Sequence, residues 1–521
     1  MLVTNSPAQT PFGYKYGTYG LDMFAIGETY PHPNHTARIQ RYRDNRKLFA
    51  GEHYDVFERQ NARLSKTQRD IVYLAINLPG LICKKSADFL FGEYAQYSSG
   101  KNADAPEQKA IEKLAADNYL NITNYQMALG AAIRGDAFYK LRWGQEHGGL
   151  LPANLDPYRV FIEPQNAEYV FPETDPMNAT HIVAYHIAYP VVVNDTADQE
   201  WVLCVESHYP GKIVYHKHRM HPESTSEDGM ILTWRIYAHI EGSLTEVETG
   251  VPFPLVVHVA NCALDDSWQG FDDLSELKPL LDELNNRISL VSVILDKHSD
   301  PAMAIPSGLL DTDEDGRPMF HVGRDKIFEI MGKDDIIPQY IVWDGQLQAA
   351  FTEINFLVDQ ILTIAEIPSV ALGKDNSGTS GSSGLSIKWR MNSLLAKVNR
   401  KRGYFDKALT QVFVIAQLLE KTYGKARYEI VKPKILFQDG LPDDDMENAQ
   451  IMSLRTGGQP TLSQKSAIMR LDNLTAEQAD KEMDQLKAET DKVDSSIFNE
   501  PPDAEAQTGS DPPENENGDD A

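Results

Sequence analysis

Apolar residues recur along this chain in two rhythms, and the change of rhythm divides it. Between Phe271 and Gly424 the rhythm is helical. Leu274, Leu277, Leu281, Leu284, Ile288, Val291 and Leu295 follow steps of three and four, which places them in one narrow stripe. A second stripe runs through Leu347, Ala350, Ile354, Leu357, Ile361 and Ile364. A third holds Met391, Leu395, Val398, Phe405, Leu409, Val412, Ala416 and Leu419, with Arg402 in its one gap. Helices are predicted over 271–300, 344–368 and 385–424. Asp272 or Asp273 can cap the first, and Glu276 stands three residues after Asp273, as in a capping box. Pro279 falls inside that helix and predicts a kink near its start. Asp344 can cap the second helix, which Pro368 ends. One such stripe is explained by a monomer's own core. Three, interrupted by a flexible loop, fit helices that also pack against copies of themselves.

Upstream, residues 1–35 read as an extended arm and 36–51 as a basic helix with Arg38, Arg41, Arg43, Arg46 and Lys47, expected to present a solvated face. A buried helix is predicted from Asn77 to Gly92, and two more between Glu107 and Gly135, with Leu129, Ala132 and Ile133 inside. From Phe138 to Val257 the period falls to two. Val170–Phe171, His181–Tyr189, Trp201–Glu206, Lys212–His216 and Ile231–Ile240 read as strands of a sheet that is antiparallel and partly exposed.

Between the first two long helices lies a compact insert, 301–343, with strand-like pieces and an acidic turn, Asp311 to Gly316. The turn lacks the further ligands and flanking helices of a calcium loop and reads as solvated. A glycine- and serine-rich loop, Gly373 to Gly384, joins the second helix to the third. Its composition is that of a flexible linker, yet it joins two long helices where short loops are the norm, which marks it as functional. Beyond Gly424, residues 427–437 read as a strand and 449–454 and 462–486 as helices. From Asp494 onward almost no apolar side chain remains, and the tail is expected not to fold.

The 521 residues suffice for two to four domains. The formal charge of −27 repels phosphates and argues against tight wrapping of nucleic acid, though not against surrounding it without holding it. The three cysteines, Cys83, Cys204 and Cys262, are far apart in apolar surroundings and read as free thiols of a reducing, cytoplasmic compartment. No signal peptide and no membrane-spanning run are read. His208, His216, His218 and His221 cluster in the strand region, and 216 and 218 share a face, which suits a metal. No cysteine or carboxylate completes a ligand set, so they are read as solvent-facing. No GxSxG, HExxH, CxxC, P-loop or GxGxxG survives inspection, so neither enzymatic activity, cofactor nor metal is expected.

Three stretches carry a family resemblance: NLPGLICKKSADFLFGE at 77–93, ALGAAIRGDAFYKLRWG at 128–144, and 264–308, with its Trp-Gln-Gly turn, acidic cap and Pro301 opening the insert. In order and spacing the chain resembles the portal proteins of tailed bacteriophages, of the type that includes the portal of the Bacillus phage SPP1. The resemblance implies an α+β, mainly helical, multi-domain portal fold that assembles as a dodecameric ring at one capsid vertex of the virion. Double-stranded DNA would be packaged and ejected through its channel. Residues 36–270 would begin the wing, 271–300 and 344–368 would form the stem, and 301–343 the clip. Residues 369–384 would be the tunnel loop, 385–459 the rest of the wing and 460–493 the crown, with 494–521 an acidic tail. Implied partners are the terminase large subunit, major capsid and scaffold proteins and neck or adaptor proteins, with no membrane, and assembly in the host bacterial cytoplasm.

Helices packed 8–10 Å apart, twelve around a circle, leave a bore of roughly 25 Å, room for a duplex about 20 Å wide. Such a bore must let DNA slide, and an acidic wall repels it evenly where a basic one would trap it. Glu276, Glu283, Glu353 and Glu366 lie off the apolar stripes and are candidates for its lining, with Asp272 on the same side. Gly373, Lys374, Asp375, Asn376, Ser377, Gly378, Thr379 and Ser380 are the candidate DNA-facing tunnel loop. Asp311, Asp313, Glu314, Asp315 and Arg317 are candidates for docking at the clip. Two other readings stand beside this one: a nucleic-acid enzyme such as a nuclease or motor subunit, and a structural coiled-coil adaptor of the virion without a DNA channel.

Overall fold

The computed structural model describes residues 23–57, 73–152, 154–194, 200–225, 231–299, 303–304, 311–312, 318–319, 339–340, 347–374, 388–438, 445–457, 460–471 and 479–488. The chain divides into two compact units, residues 1–441 and 442–521. Helix makes up 48% and strand 25%, which makes the fold α+β.

The largest hydrophobic core gathers helices α3 (Leu78–Phe91), α4 (Pro106–Asp117), α5 (Leu120–Arg134) and α8 (Asn392–Thr422) around a three-stranded antiparallel sheet. That sheet has the order β11 (Val256–Ala260), β3 (Asp136–Gly144), β4 (Arg159–Gln165). Asn77 caps α3 by accepting from the Gly80 amide at 2.9 Å. The third stripe behaves as its period demands: Val398, Phe405, Leu409, Val412 and Ala416 are all fully buried on α8. Of the strand expected over 427–437, only β16 (Lys434–Leu436) forms, paired with β2 (Gln96–Ser98).

A seven-stranded antiparallel sheet makes a second layer. Its order is β1 (Thr29–Tyr30), β9 (Ile231–His239), β8 (Lys212–Thr225), β7 (Glu200–Tyr209), β6 (Asn178–Asn194), β5 (Val170–Asp175), with β10 (Thr245–Glu248) also on β8. One face is covered by Met23, Phe24, Tyr30 and Ile39, which pack on Phe171, Leu203, Met220 and Ile236. Residues 23–35, expected in an extended arm, are therefore seated on the sheet.

The basic helix is α1 (Pro33–Ala50); Arg46 is exposed, but Arg38 is buried and Arg41 and Arg43 are half-buried in ion pairs rather than facing solvent. Arg38 is only 4% exposed. It donates to the carbonyls of Ala167 and Val170 at 3.2 and 3.0 Å and lies over the rings of Tyr42, Phe171 and Trp268. Arg43 reaches Glu168 at 3.3 Å, Arg41 reaches Asp272 at 3.6 Å, and Lys47 pairs with Asp55 in helix α2 (His53–Phe57) at 3.0 Å. The helix is an internal clamp because each of these acceptors lies beyond the range of a local sequence pattern. The clustered histidines are likewise not solvent-facing: His208, His216 and His218 are buried, and His221 alone is exposed. His208 Nε2 stands 2.9 Å from Glu206 Oε1.

The Trp-Gln-Gly turn has a steric reason. A Cβ on Gly270 would come within 2.0 Å of the Gly135 carbonyl oxygen, and one on Gly135, at φ 89°, within 2.3 Å of the Gly270 oxygen. The two backbones touch where α5 turns into β3. Buried Asp136 seals the contact, accepting from the Gly270 amide at 2.8 Å, from the Tyr42 hydroxyl at 2.5 Å and from His258 Nε2 at 2.7 Å. Trp268 closes over Phe138 and His258.

Two long helices leave this core: α6 (Lys278–Ser299), entered through a 3-10 turn at Ser275–Leu277, and α7 (Leu347–Ile364), which packs on it. Of the insert between them, β12 (Met303–Ala304) pairs antiparallel with β15 (Gln339–Tyr340), and β13 (Asp311–Thr312) with β14 (Pro318–Met319). The chains leaving α6 and entering α7 thus run side by side, and the whole is a helical hairpin. Pro279 is the second residue of α6, not an interior one. There its missing amide proton has no intrahelical acceptor to lose, so it starts the helix instead of kinking it. Asp344 lies outside the described residues.

In the second unit, residues 445–456 (α9) and 464–471 (α10) are helical, as is a stretch at 479–488.

Candidate functional site

The hairpin's root, where it joins the core, concentrates the charge chemistry of the first unit. Asp272 starts the 3-10 turn: its Oδ1 accepts from the amides of Leu274 at 3.0 Å and Ser275 at 2.6 Å, and its Oδ2 from the Ser275 hydroxyl at 2.7 Å. Its carboxyl is buried against Arg41, which removes it from any lining. Asp273 forms no capping box with Glu276. It faces the opposite way, into the core, where Lys401 Nζ lies 2.6 Å and Lys397 Nζ 3.3 Å from its Oδ2, and Asn261 donates to its Oδ1 at 3.0 Å. Lys401 also donates to the Ser86 hydroxyl at 2.5 Å, tying α3 to the cluster. Burial pushes the Asp273 carboxyl up, but Lys401 and then Lys397 outweigh it and hold it well below the usual carboxylate range. Burial pulls the Lys401 ammonium down, partly offset by Asp273. Such a group of charges is worth little against an apolar replacement, but losing one member strands the others.

Lys397 makes a second bond, donating to the Ala365 carbonyl at 3.0 Å, just past the end of α7. A cation there meets the negative end of the helix dipole. The same end forms a Schellman motif: the Glu366 amide donates to Thr363 O at 3.0 Å and the Ile367 amide to Leu362 O at 2.9 Å. Glu366 occupies the left-handed position, at φ 59°, where glycine is usual. Its carboxylate pairs with Arg400. Thus α8 grips α7 twice, through Lys397 and Arg400, one helical turn apart. The surrounding side chains, including Cys262, Phe271, Glu276 and Ile364, line a cleft of about 150 Å³. That is below the roughly 300–1,000 Å³ of small-molecule pockets.

On the other side of α6 a polar face is buried. Asn285 Oδ1 accepts from the Ile76 amide at 3.3 Å, its Nδ2 lies 2.9 Å from His53 Nδ1, and Ser289 Oγ accepts from the Leu74 amide at 2.9 Å. The leucine seam fades outward: Leu274, Leu281 and Leu284 are fully buried, while Leu295 is 46% exposed.

The sequence candidates separate along the hairpin. Glu276 is exposed at the root. Glu283 and Glu353 share Arg287, at 2.9 and 3.1 Å, so one guanidinium bridges α6 and α7 between two carboxylates. Glu366 is the helix-end residue described above. Gly373 is left-handed, at φ 68°, and Lys374 is exposed at the start of the glycine-rich loop. Asp311 is in β13, opposite Met319. Asp375, Asn376, Ser377, Gly378, Thr379 and Ser380, and Asp313, Glu314, Asp315 and Arg317, lie outside the described residues. Reading by apolar period named Asp273 only as a cap and missed Lys397 and Lys401. The two lysines are four apart on α8, on one face with the buried Leu394 and Val398, and that placement is the one local signal of their burial. Among the described residues no group of three or more His, Cys, Asp or Glu is arranged to hold a metal ion, and no helix is long and apolar enough to cross a membrane.

The described residues make an α+β chain with a two-helix hairpin rooted in its core and the 301–343 insert between the two helices. The chain matches the family "Phage portal protein, SPP1 Gp6-like" over residues 31–496, and it belongs to that family. Among solved structures it is similar to a chain in the virion of a native gene transfer agent particle, at 12% identity and a TM-score of 0.41, and to one in the neck of an empty gene transfer agent particle, at 13% and 0.43. Each alignment covers 86% of this chain and 96% of the other. No curated protein matches the chain.

Proposed function

We propose that the protein forms a ring at a single capsid vertex, through which double-stranded DNA is packaged and later ejected, and that it catalyses no reaction itself. The observation that carries this reading is the hairpin gripped at its root by Lys397 and Arg400, in a chain of the portal family. In it, α6 and α7 are the stem and 301–343 the clip, the docking platform for the terminase large subunit and then neck proteins. Residues 369–384 are the tunnel loop, the two layers around the root are the wing, and 460–493 the crown. Capsid and scaffold proteins surround the wing, and the ring assembles in the host cytoplasm before it is built into the virion.

The bore wall follows from the charges. Glu283 and Glu353 around one Arg287 leave a weak net negative charge per subunit, repeated evenly around the ring. A duplex meets mild repulsion with no deep basic trap. Lys374 supplies a transient phosphate contact at the loop. Packaging by the assembled particle tests this. Lys374→Ala together with a shortened 375–384 loop is expected to lower DNA retention, and Glu283→Lys with Glu353→Lys to slow translocation at low salt. Unchanged packaging and retention in both sets would refute the roles given to loop and wall.

A further inference from the structure

The face of the large sheet beneath Phe24 carries three imidazoles in line. His216 and His218 are successive inward residues of β8, and His239, at the end of β9, is the register partner of His218. His216 Nδ1 lies 2.5 Å from His218 Nε2, and His218 Nδ1 lies 2.5 Å from His239 Nδ1. His218 spends both nitrogens on its neighbours, so the three rings form a chain and do not converge on one point, as metal ligands would. The chain runs inward from solvent: His239 is exposed, His218 is 2% exposed and His216 7%. At its inner end His216 meets the Phe24 ring at 6.3 Å. Phe24 is itself 1% exposed and belongs to the Met23–Tyr30 segment that covers the sheet.

With three neutral rings, two protons fill the two contacts and the third sits on an outer nitrogen. His216 Nε2, buried and without a hydrogen-bond partner, is the natural bare end. One further proton therefore either charges a buried ring or leaves a His216 Nε2–H beneath Phe24 with no acceptor, and a second must break a contact. The groups facing the chain offer it little relief. From β6 comes His186, bound to Ser207 of β7 at 2.8 Å and to Glu173 of β5 at 3.2 Å. From β10 comes Glu246, paired with Lys212. Leu203 and Val205 of β7 lie opposite His218 and His216. Tyr209 stacks edge-on against His186. From α1 come His35, packed on Phe171, and Arg38, a second positive charge.

We propose that the His216–His218–His239 chain is an acid-operated latch: neutral, it lets the Met23–Tyr30 segment seat on the sheet, and protonated through the His239 end, it releases that segment. Burial and then the neighbouring imidazoles pull His216 down to about 4 and His218 to about 3. A histidine depressed from 6.5 to about 4 favours the opened state as pH falls below 6.5, by roughly thirtyfold at pH 5. Nothing is lost above pH 7.

The test is hydrogen–deuterium exchange of the full-length protein at pH 7.5 and 5.0, corrected for intrinsic exchange, together with deuteration of the histidine C2 positions. Amides of residues 23–30 and of β8 and β9 are expected to exchange about tenfold or more faster at pH 5.0, and His218→Leu to abolish most of that increase. An equal increase in His218→Leu, or none in the wild type, would overturn the latch. So would midpoints near 6.5 for the C2 exchange of His216 and His218 in the wild type, a readout that stands even if the variant fails to fold. Protection that rises with added Zn²⁺ and falls with a chelator would equally overturn it, by marking the rings as metal ligands.

Discussion

The root and the far half of the hairpin are built from the same two helices and satisfied in opposite ways. At the root the buried charges are paired within the chain: Asp273 has two lysines, the end of α7 has Lys397, and the polar face of α6 has Tyr73, Leu74 and Ile76. Farther along α6 and α7, apolar side chains stand in solvent among the described residues, with Leu295 46%, Phe351 44% and Phe356 60% exposed. A root whose buried charges are paired within one chain, below a shaft with exposed rings, is what the proposed subunit needs if it folds first and assembles afterwards. In the proposed ring, the exposed apolar surface is the place that other copies fill.

The difference can be attacked from the root outward. Asp273→Ala leaves two ammonium groups buried without their carboxylate and is expected to destabilise the first unit by about 3–5 kcal/mol in denaturant unfolding, whether or not the protein is assembled. Because the Asp273 carboxyl is depressed, its contribution is fully present above the ordinary carboxylate range and is lost only as pH falls below it. Acid sensitivity between pH 6.5 and 4.5 should therefore survive in Asp273→Ala. Asn285→Ala strands the Ile76 amide and should cost about 1–3 kcal/mol by the same measurement. Arg287→Ala, in a half-exposed cluster on the shaft, should cost less than about 1 kcal/mol and make the shaft more acidic. Glu366→Gly trades a relaxed left-handed residue against a half-exposed ion pair, two terms of about 1 kcal/mol that oppose each other. A thermal midpoint within a few degrees of wild type is expected, and a large loss would mean that the Arg400 contact, not the backbone, holds the helix end.

The helices and strands were legible wherever burial follows a local period. The leucine seam, the buried stripe of α8 and the two-residue alternation of β8 are all readable because water removes apolar side chains without regard to their partners. Polar burial is not readable this way. Lys401 needs Asp273 and Ser86, Arg38 needs Val170, and His218 needs His239, all distant in sequence. Without its partner each looks like a surface charge, and that is how the basic helix and the histidines came to be expected in solvent. Pro279 shows a smaller lesson. A shift of the helix start by a few residues turns a helix breaker into a helix starter.

In the proposed function, the shaft is completed only by other copies of the chain. The most direct test is the native mass of the purified full-length protein, with electron microscopy of the same peak, for the wild type and for Phe351→Glu with Phe356→Glu. The wild type is predicted to form closed rings with a central hole, and the variant to be a folded monomer that keeps the wild-type unfolding midpoint of the root. A wild type and a variant of the same mass, neither showing a hole, would contradict the claim.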